Sequence, residues 1–184
     1  MNDSALPPTQ TNASPVASDD LAGTPRDLAA FKHAFRRHAA GVAIVTALQS
    51  DGTPVGFTAT SLASLSAVPP LATFNMARTA SAWPAIAETE RVVIHILGAR
   101  NRAVAEKMSG EQSQRFVGDH WYPGPHGLPV IRDVTSWMVG RITVRANVHS
   151  SAVVIVQIEE GGMGEDDVPL LYHERTYLTL GNPA

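Results

Sequence analysis

The chain contains no cysteine. Disulfide bridges, thiolate metal sites and a cysteine nucleophile are therefore all excluded. Aromatic residues are sparse, and no run approaches the roughly 18 consecutive apolar residues that a membrane-crossing helix requires. No membrane partner is expected. An excess of positive charge is also missing. The formal net charge is -3, and Asp3, Asp19, Asp20 and Asp27 set against Arg26 account for all of it. The rest of the chain balances, so it lacks the basic footprint of phosphate-backbone binding and no nucleic acid is expected as a partner.

Familiar signatures are absent too. There is no Walker A loop, no GxGxxG, no HExxH and no GxSxG elbow. The 7 histidines are scattered without paired ligand spacing, so no metal site is expected.

What is present begins with a low-hydrophobicity stretch. Residues 1–23, rich in Pro, Ser, Thr, Asp and Ala, read as a disordered N-terminal tail. Its lack of early positive charge and of an apolar core disfavours a secretory signal, and a cytoplasmic setting is expected. Residues 24–184 form one domain of ordinary size. Its first element is a helix to about His38, with Thr24 as cap, Pro25 at the first position and Leu28, Phe31 and Phe35 at helical spacing.

A hairpin is expected next, GVAIVTALQ and VGFTATS around Asp51-Gly52. LATFNM, RVVIHIL, MVGRITVRANV, AVVIVQI and TYLTL then read as strands, and SAWPAIAE and RNRAVAEKMS as short helices. Strands dominate and are too closely joined for parallel crossovers. The expected class is mainly β, an antiparallel barrel or sandwich with short helices.

Three segments could carry chemistry. Gly56 to Pro70 gathers Thr58, Thr60, Ser61, Ser64 and Ser66, small hydroxyl residues that let a ligand approach the backbone and can hold phosphate or the polar edge of a ring. The alternative is a strand edge followed by a serine-rich loop. Asn75, Arg78, Thr79 and Ser81 form a second polar cluster in which Arg78 could pair with phosphate. The alternative there is a solvated turn with Ser81 capping the next helix. Third, Arg115 to Pro129 mixes aromatics with Gly and Pro in a loop long enough to cover a site, or to pack Trp121 and Tyr122 inward.

Taken in order, these residues resemble the flavin reductase-like, FMN-binding split-barrel family, which includes the reductase components of two-component flavin-dependent monooxygenases. The resemblance runs from about Phe31 to Leu180. It rests on FKHAFRRHAAGVAIVTALQSDGTPVGFTATSLASLS, on Pro69-Pro70-Leu71 leading to Asn75, on Arg115-Phe116 with Gly118 and Trp121, on Gly127 and Pro129, on Trp137, and on the closing LLYHERTYLTL. It implies a six-stranded antiparallel Greek-key barrel, a homodimer with flavin near the subunit interface, and FMN or FAD with NADH or NADPH as hydride donor. By position, Thr58, Ala59, Thr60 and Ser61 would line the flavin ring. Ser64 and Asn75 would hold the ribityl chain or phosphate. Arg78, Thr79 and Ser81 would be phosphate candidates, His95 stands where relatives carry Asn, and Arg115 and Phe116 would belong to the covering loop.

The implied activity is an NAD(P)H:flavin oxidoreductase that supplies reduced flavin to a partner monooxygenase. A departure bears on it: the Gly-Asp-His that many relatives carry before a long strand is replaced here by His149-Ser150-Ser151. His149 is the candidate catalytic substitute. The alternative reading is a flavin-binding carrier or sensor without nicotinamide-dependent activity, and a pyridoxamine phosphate oxidase-like role ranks last for want of a more basic phosphate site.

Overall fold

The structure is a computed structural model that describes residues 25–181. The tail of residues 1–23 and the Thr24 cap lie outside the described residues. The chain divides into a unit that ends at Phe35 and a unit that starts at Arg36. Helix α1, Pro25–Arg37, carries Leu28, Phe31 and Phe35 on its surface, with the two phenylalanine rings 4.6 Å apart. It ends with Arg36 and Arg37 in the last turn, where cations favour the helix dipole.

From Arg36 onward, the described residues form twelve short to long strands, two α-helices and three single-turn 3-10 helices. The strands are β1 (Ala40–Gly41), β2 (Ala43–Leu48), β3 (Pro54–Ala59), β4 (Ala63–Ala67), β5 (Pro70–Ala77), β6 (Arg91–Ile96), β7 (Trp121–Pro123), β8 (Pro129–Ile131), β9 (Ser136–Val148), β10 (Ser151–Met163), β11 (Leu170–His173) and β12 (Thr176–Thr179). The α-helices are α2 (Trp83–Glu88) and α3 (Arg102–Ser109). Among the described residues no helix is long and apolar enough to cross a membrane.

Seven strands form one antiparallel sheet in the order β3-β2-β6-β9-β10-β5-β4. That is one strand more than the resemblance implies, because Ala63–Ala67 pairs with β5 instead of forming a serine-rich loop. The expected hairpin is present: Val45 faces Phe57 across β2 and β3, and Gly52 takes φ +82° in the turn, a conformation a side chain would disfavour.

The inward faces of the strands are apolar, and β2 and β6 are buried on both faces. Val45, Val55, Ala59, Phe74, Met76, Val92, Ile94, Ile142, Val154 and Val156, drawn from both sheet ends and its middle, meet in a single core. Phe74 is fully enclosed at its centre, with Phe57 at 5.9 Å between ring centroids. Burying such a ring contributes about 1.5–3 kcal/mol.

Helix α2 closes one barrel end through Ala82, Ala85 and Ile86. Arg145 reaches in from β9 to donate from Nε to the Ile86 carbonyl at 2.7 Å and also to the Thr89 carbonyl, supplying donors that the helix end lacks. A second core, built on Val42, Ile44, Leu97, Ala105, Met108, Ile131 and Leu170, fixes α3 over the outside of β2 and β3.

Candidate active site

Strand alternation decides which face each candidate occupies. Val55, Phe57 and Ala59 turn into the barrel core, so Ala59 can offer a ligand only its backbone. Gly56 and Thr58 face outward. The Thr58 hydroxyl donates to the Ala105 carbonyl of α3 at 2.7 Å, which joins β3 to the helix lying on it. Thr58 thus acts through α3 rather than through a free hydroxyl.

Beyond β3 the chain bends, and Ser61 replaces a ladder pair with its side chain. Its Oγ accepts from the Asn75 amide at 2.9 Å and donates to the Asn75 carbonyl at 3.0 Å. This fixes the bend against β5 and leaves the Asn75 carboxamide exposed beside it. Ser64 follows on β4 opposite Ala72, next to a register shift after which the pairing resumes with Ser66 opposite Leu71. Beside Ser64 opens a cleft of about 410 Å³ lined by Leu62, Leu71, Ile96, Met138 and Ile158. Ile96 ends β6 whereas α2 leads into its start, so this cleft lies at the barrel end away from α2.

Arg78 follows β5, about 10 Å along the chain from Asn75 at the usual strand rise. Its amide donates to the Ser150 carbonyl at 2.8 Å, and Nη1 donates to the His149 carbonyl at 3.2 Å. His149 is not a strand residue. It occupies the tip of the β9–β10 hairpin at φ +50°, exposed, and shares the Arg78 end of this row. Thr79 and Ser81 are exposed in the turn before α2. Ser81 does not cap that helix, because the N-cap residue is Ala82 and no side chain caps it.

The loop after α3 lies over Gly56. Arg115 donates from Nη1 to the Gly56 carbonyl at 2.9 Å and from Nε and Nη2 to the Gly110 carbonyl, and its partial burial lowers the guanidinium's proton affinity. A Cβ at Gly56 would stand 3.0 Å from Phe116 Cζ, so the glycine makes room for the Phe116 ring. Trp121 meets Phe116 edge-on at 5.4 Å and donates from Nε1 to its carbonyl at 2.9 Å. Lys107 of α3 donates to the Val117 carbonyl. Residue type does not mark the contacts of Gly56 and Lys107; an isolated glycine within a strand pattern is the signal the sequence offers for the first.

His95 must be corrected. It is fully enclosed, with Nδ1 at 3.1 Å from the Ile44 carbonyl and Nε2 accepting from the Ile131 amide at 3.1 Å. Both ring nitrogens are thus engaged inside the protein, and burial pushes its pKa down to about 4. A neutral histidine that pins β8 to β2 has no atom left for a cofactor.

The remaining donors suit a phosphorylated aromatic ligand. Among the described residues, the hydroxyls of Thr60, Ser64, Thr79 and Ser81 and the Asn75 carboxamide make no hydrogen bond, and Arg78 engages only one terminal nitrogen. Neutral donors and acceptors near Ser61 match the polar edge of a flavin ring, and the cation at Arg78 matches a phosphate. The Thr73 hydroxyl, on the same outer face, is enclosed without a partner.

Known proteins resemble this chain over most of its length. A family model described as flavin reductase like domain matches residues 35–181. An NADH:FMN oxidoreductase of Rhodococcus qingshengii is 40% identical over 152 residues, spanning 80% of this chain and 79% of its own length. A flavin reductase domain protein from Arthrobacter sp. FB24 superposes with TM-score 0.82 at 49% identity, over 85% of this chain and 98% of that one. Nitrilotriacetate monooxygenase component B from Mycobacterium thermoresistibile gives TM-score 0.78 at 25% identity, over 86% of this chain and 92% of that one. The barrel, the hydroxyl-lined bend at its edge and these likenesses together establish that the chain belongs to the flavin reductase-like family.

Proposed function

We propose that this protein is an NADH-dependent flavin reductase that supplies reduced FMN or FAD to a separate monooxygenase. The observation that carries the reading is the row of exposed polar groups that runs from Thr60 in the bend after β3, through Asn75 on the outside of β5, to Arg78 just beyond it. When bound, the flavin ring accepts hydride from the reduced nicotinamide. The chain's own work is binding and orientation. The bend at Thr60 and Ser61 presents backbone and hydroxyl groups to the ring edge, Ser64 and Asn75 hold the linking chain, and Arg78 with Thr79 and Ser81 holds the phosphate. Arg115 and Phe116 keep the covering loop packed on β3.

The same face supports a homodimer. Val144, Val148, Val153 and Ile155 project outward from β9 and β10 beside Thr73 and Asn75, a partly exposed apolar surface continuous with the polar row. A second copy on that surface would enclose the flavin and bury the valines. Reduced nicotinamide is supplied in the cytoplasm, where we place the reaction.

Mixing the purified chain with NADH and FMN tests the activity: nicotinamide absorbance should fall at a rate that requires both flavin and protein. NADH loss no faster than with flavin alone would sink the proposal. His149 keeps the alternative of a carrier or sensor open to experiment, because the hairpin sets it at the Arg78 end. Flavin that stays oxidised on the protein under anaerobic NADH would favour that alternative. The catalytic role of His149 stands or falls separately: a His149→Ala variant should slow hydride transfer, and an unchanged rate would remove it.

A further inference from the structure

We infer that a second anion site, for a small phosphorylated molecule, lies on the far side of α3 from the flavin row. A cleft of about 570 Å³ is lined by Arg100, Asn101, Val104, Lys107, His120 and Arg132, together with Ala103 and Asp133. It is larger than the cleft beside Ser64. Its cations are not equivalent. Arg100 is neutralised by Glu165 at 2.6 Å and Asp167 at 3.1 Å. Lys107 and Arg132 have no carboxylate partner among the described residues. The Lys107 ammonium meets only the Val117 carbonyl. Arg132 donates from Nε to the Asp119 carbonyl at 2.9 Å, and its guanidinium lies 4.9 Å from the Tyr122 ring centroid. Both terminal nitrogens of Arg132 are left without a hydrogen bond in the described structure.

These contacts orient the two cations without neutralising them. Carbonyl oxygens and a ring face hold an ammonium or guanidinium in place while leaving its charge for a further acceptor. His120 lines the cleft with its Nε2 donating to the Arg115 carbonyl at 2.8 Å, which leaves Nδ1 an acceptor in the neutral ring and aims no donor at the phosphate. Asp133 is the one carboxylate in the lining, set against the two cations Lys107 and Arg132 that lack a carboxylate partner. Ala103 and Val104 supply an apolar wall. A phosphate between Lys107 and Arg132 with an organic body along that wall uses both unneutralised cations and the apolar wall, and the cleft of about 570 Å³ admits a mononucleotide.

The site is not the flavin row. The Thr58 hydroxyl and the Ala105 carbonyl mark the face of α3 turned to β3, whereas Ala103, Val104 and Lys107 line the cleft. The two are nonetheless joined, since Lys107 also holds Val117, the neighbour of Phe116.

The test is calorimetric titration of the full chain with 5′-AMP and with inorganic phosphate at low ionic strength. Saturable AMP binding is expected, weakened about tenfold or more in Arg132→Gln and in Lys107→Gln, the loss of one charge-assisted contact. Arg78→Gln should leave it unchanged, and thermal unfolding confirms that each variant is folded. No saturable AMP binding at millimolar concentration overturns the proposal, as does binding abolished by Arg78→Gln and spared by Arg132→Gln. A competition arm identifies the source of the phosphate within an upheld site. Displacement of AMP by NADH assigns it to the adenylate half of the nicotinamide dinucleotide, and simultaneous binding assigns it to a free nucleotide.

Discussion

Ser61 and Asn75 are joined by a reciprocal pair of hydrogen bonds in which one side-chain hydroxyl serves both backbone groups, at 2.9 and 3.0 Å. The chain is leaving β3 here, and Ser61 precedes the first pair of the β4–β5 ladder, Ala63 with Thr73. Its hydroxyl supplies what a ladder residue would. Because the pair is exposed, water can replace much of it, and Ser61→Ala should cost about 1 kcal/mol. Flavin affinity should fall more than stability does, since the bend that carries Thr60 and Ser64 loses its anchor. Ser61→Thr keeps the hydroxyl and should retain binding. Urea unfolding and a flavin fluorescence titration give the two numbers; equal binding in Ser61→Ala would show that the bend holds without this pair.

His95 makes stability depend on pH. Its folded pKa lies near 4, below the ordinary 6.5, because burial disfavours the charged ring. Between those values the unfolded chain binds the proton and the folded chain does not, so stability falls as pH drops through this window. The loss by pH 5 is about 2 kcal/mol relative to neutral pH. His95→Asn should flatten this slope, at some cost at neutral pH if the shorter side chain cannot reach both Ile44 and Ile131. Urea midpoints measured across the pH range decide it, and an unaltered slope in the variant would assign the acid sensitivity elsewhere.

Gly56 is where the loop and the barrel meet. A methyl group there would press on Phe116 Cζ at 3.0 Å and Thr46 Cγ2 at 3.1 Å, with the Val45 carbonyl at 3.2 Å. Phe116 can shift but the backbone of β2 cannot, so Gly56→Ala should displace the ring and cost about 1–3 kcal/mol. Loosening should reach Trp121, which packs edge-on against Phe116. A changed tryptophan emission with a reduced kcat/KM for flavin is the expected result. Unchanged emission and unchanged kinetics would mean that the loop does not depend on this contact.

How far these features could be read from sequence follows from what periodicity records. The long strands were legible because RVVIHIL and AVVIVQI are nearly continuous β-branched runs between turn residues. β4 was not, since ASLSA lacks β-branched residues and its strand character comes only from pairing with β5. The hydroxyl stretch and Arg78 stand out in the sequence by residue type. Residue type alone did not distinguish the exposed Thr60 from Thr58, whose hydroxyl meets α3, nor an exposed His95 from an enclosed one. Burial of one side chain depends on elements distant in sequence, here Ile44 and Ile131 around His95.

Thr73 separates a folding role from a binding role on the outer face. Its hydroxyl is enclosed and unpartnered, on a strand between Ala63 and Ile155. An unsatisfied buried hydroxyl costs about 1–3 kcal/mol, so Thr73→Val, which keeps the branched shape, should stabilise the isolated protein by about 1 kcal/mol. If a second copy or a flavin completes the hydroxyl's hydrogen bonding, the same change should weaken that association while raising monomer stability. Unfolding measured at low protein concentration without flavin reads the first effect, and sedimentation with and without FMN reads the second. Lower stability in Thr73→Val under the first condition would mean that the threonine finds a partner within its own chain.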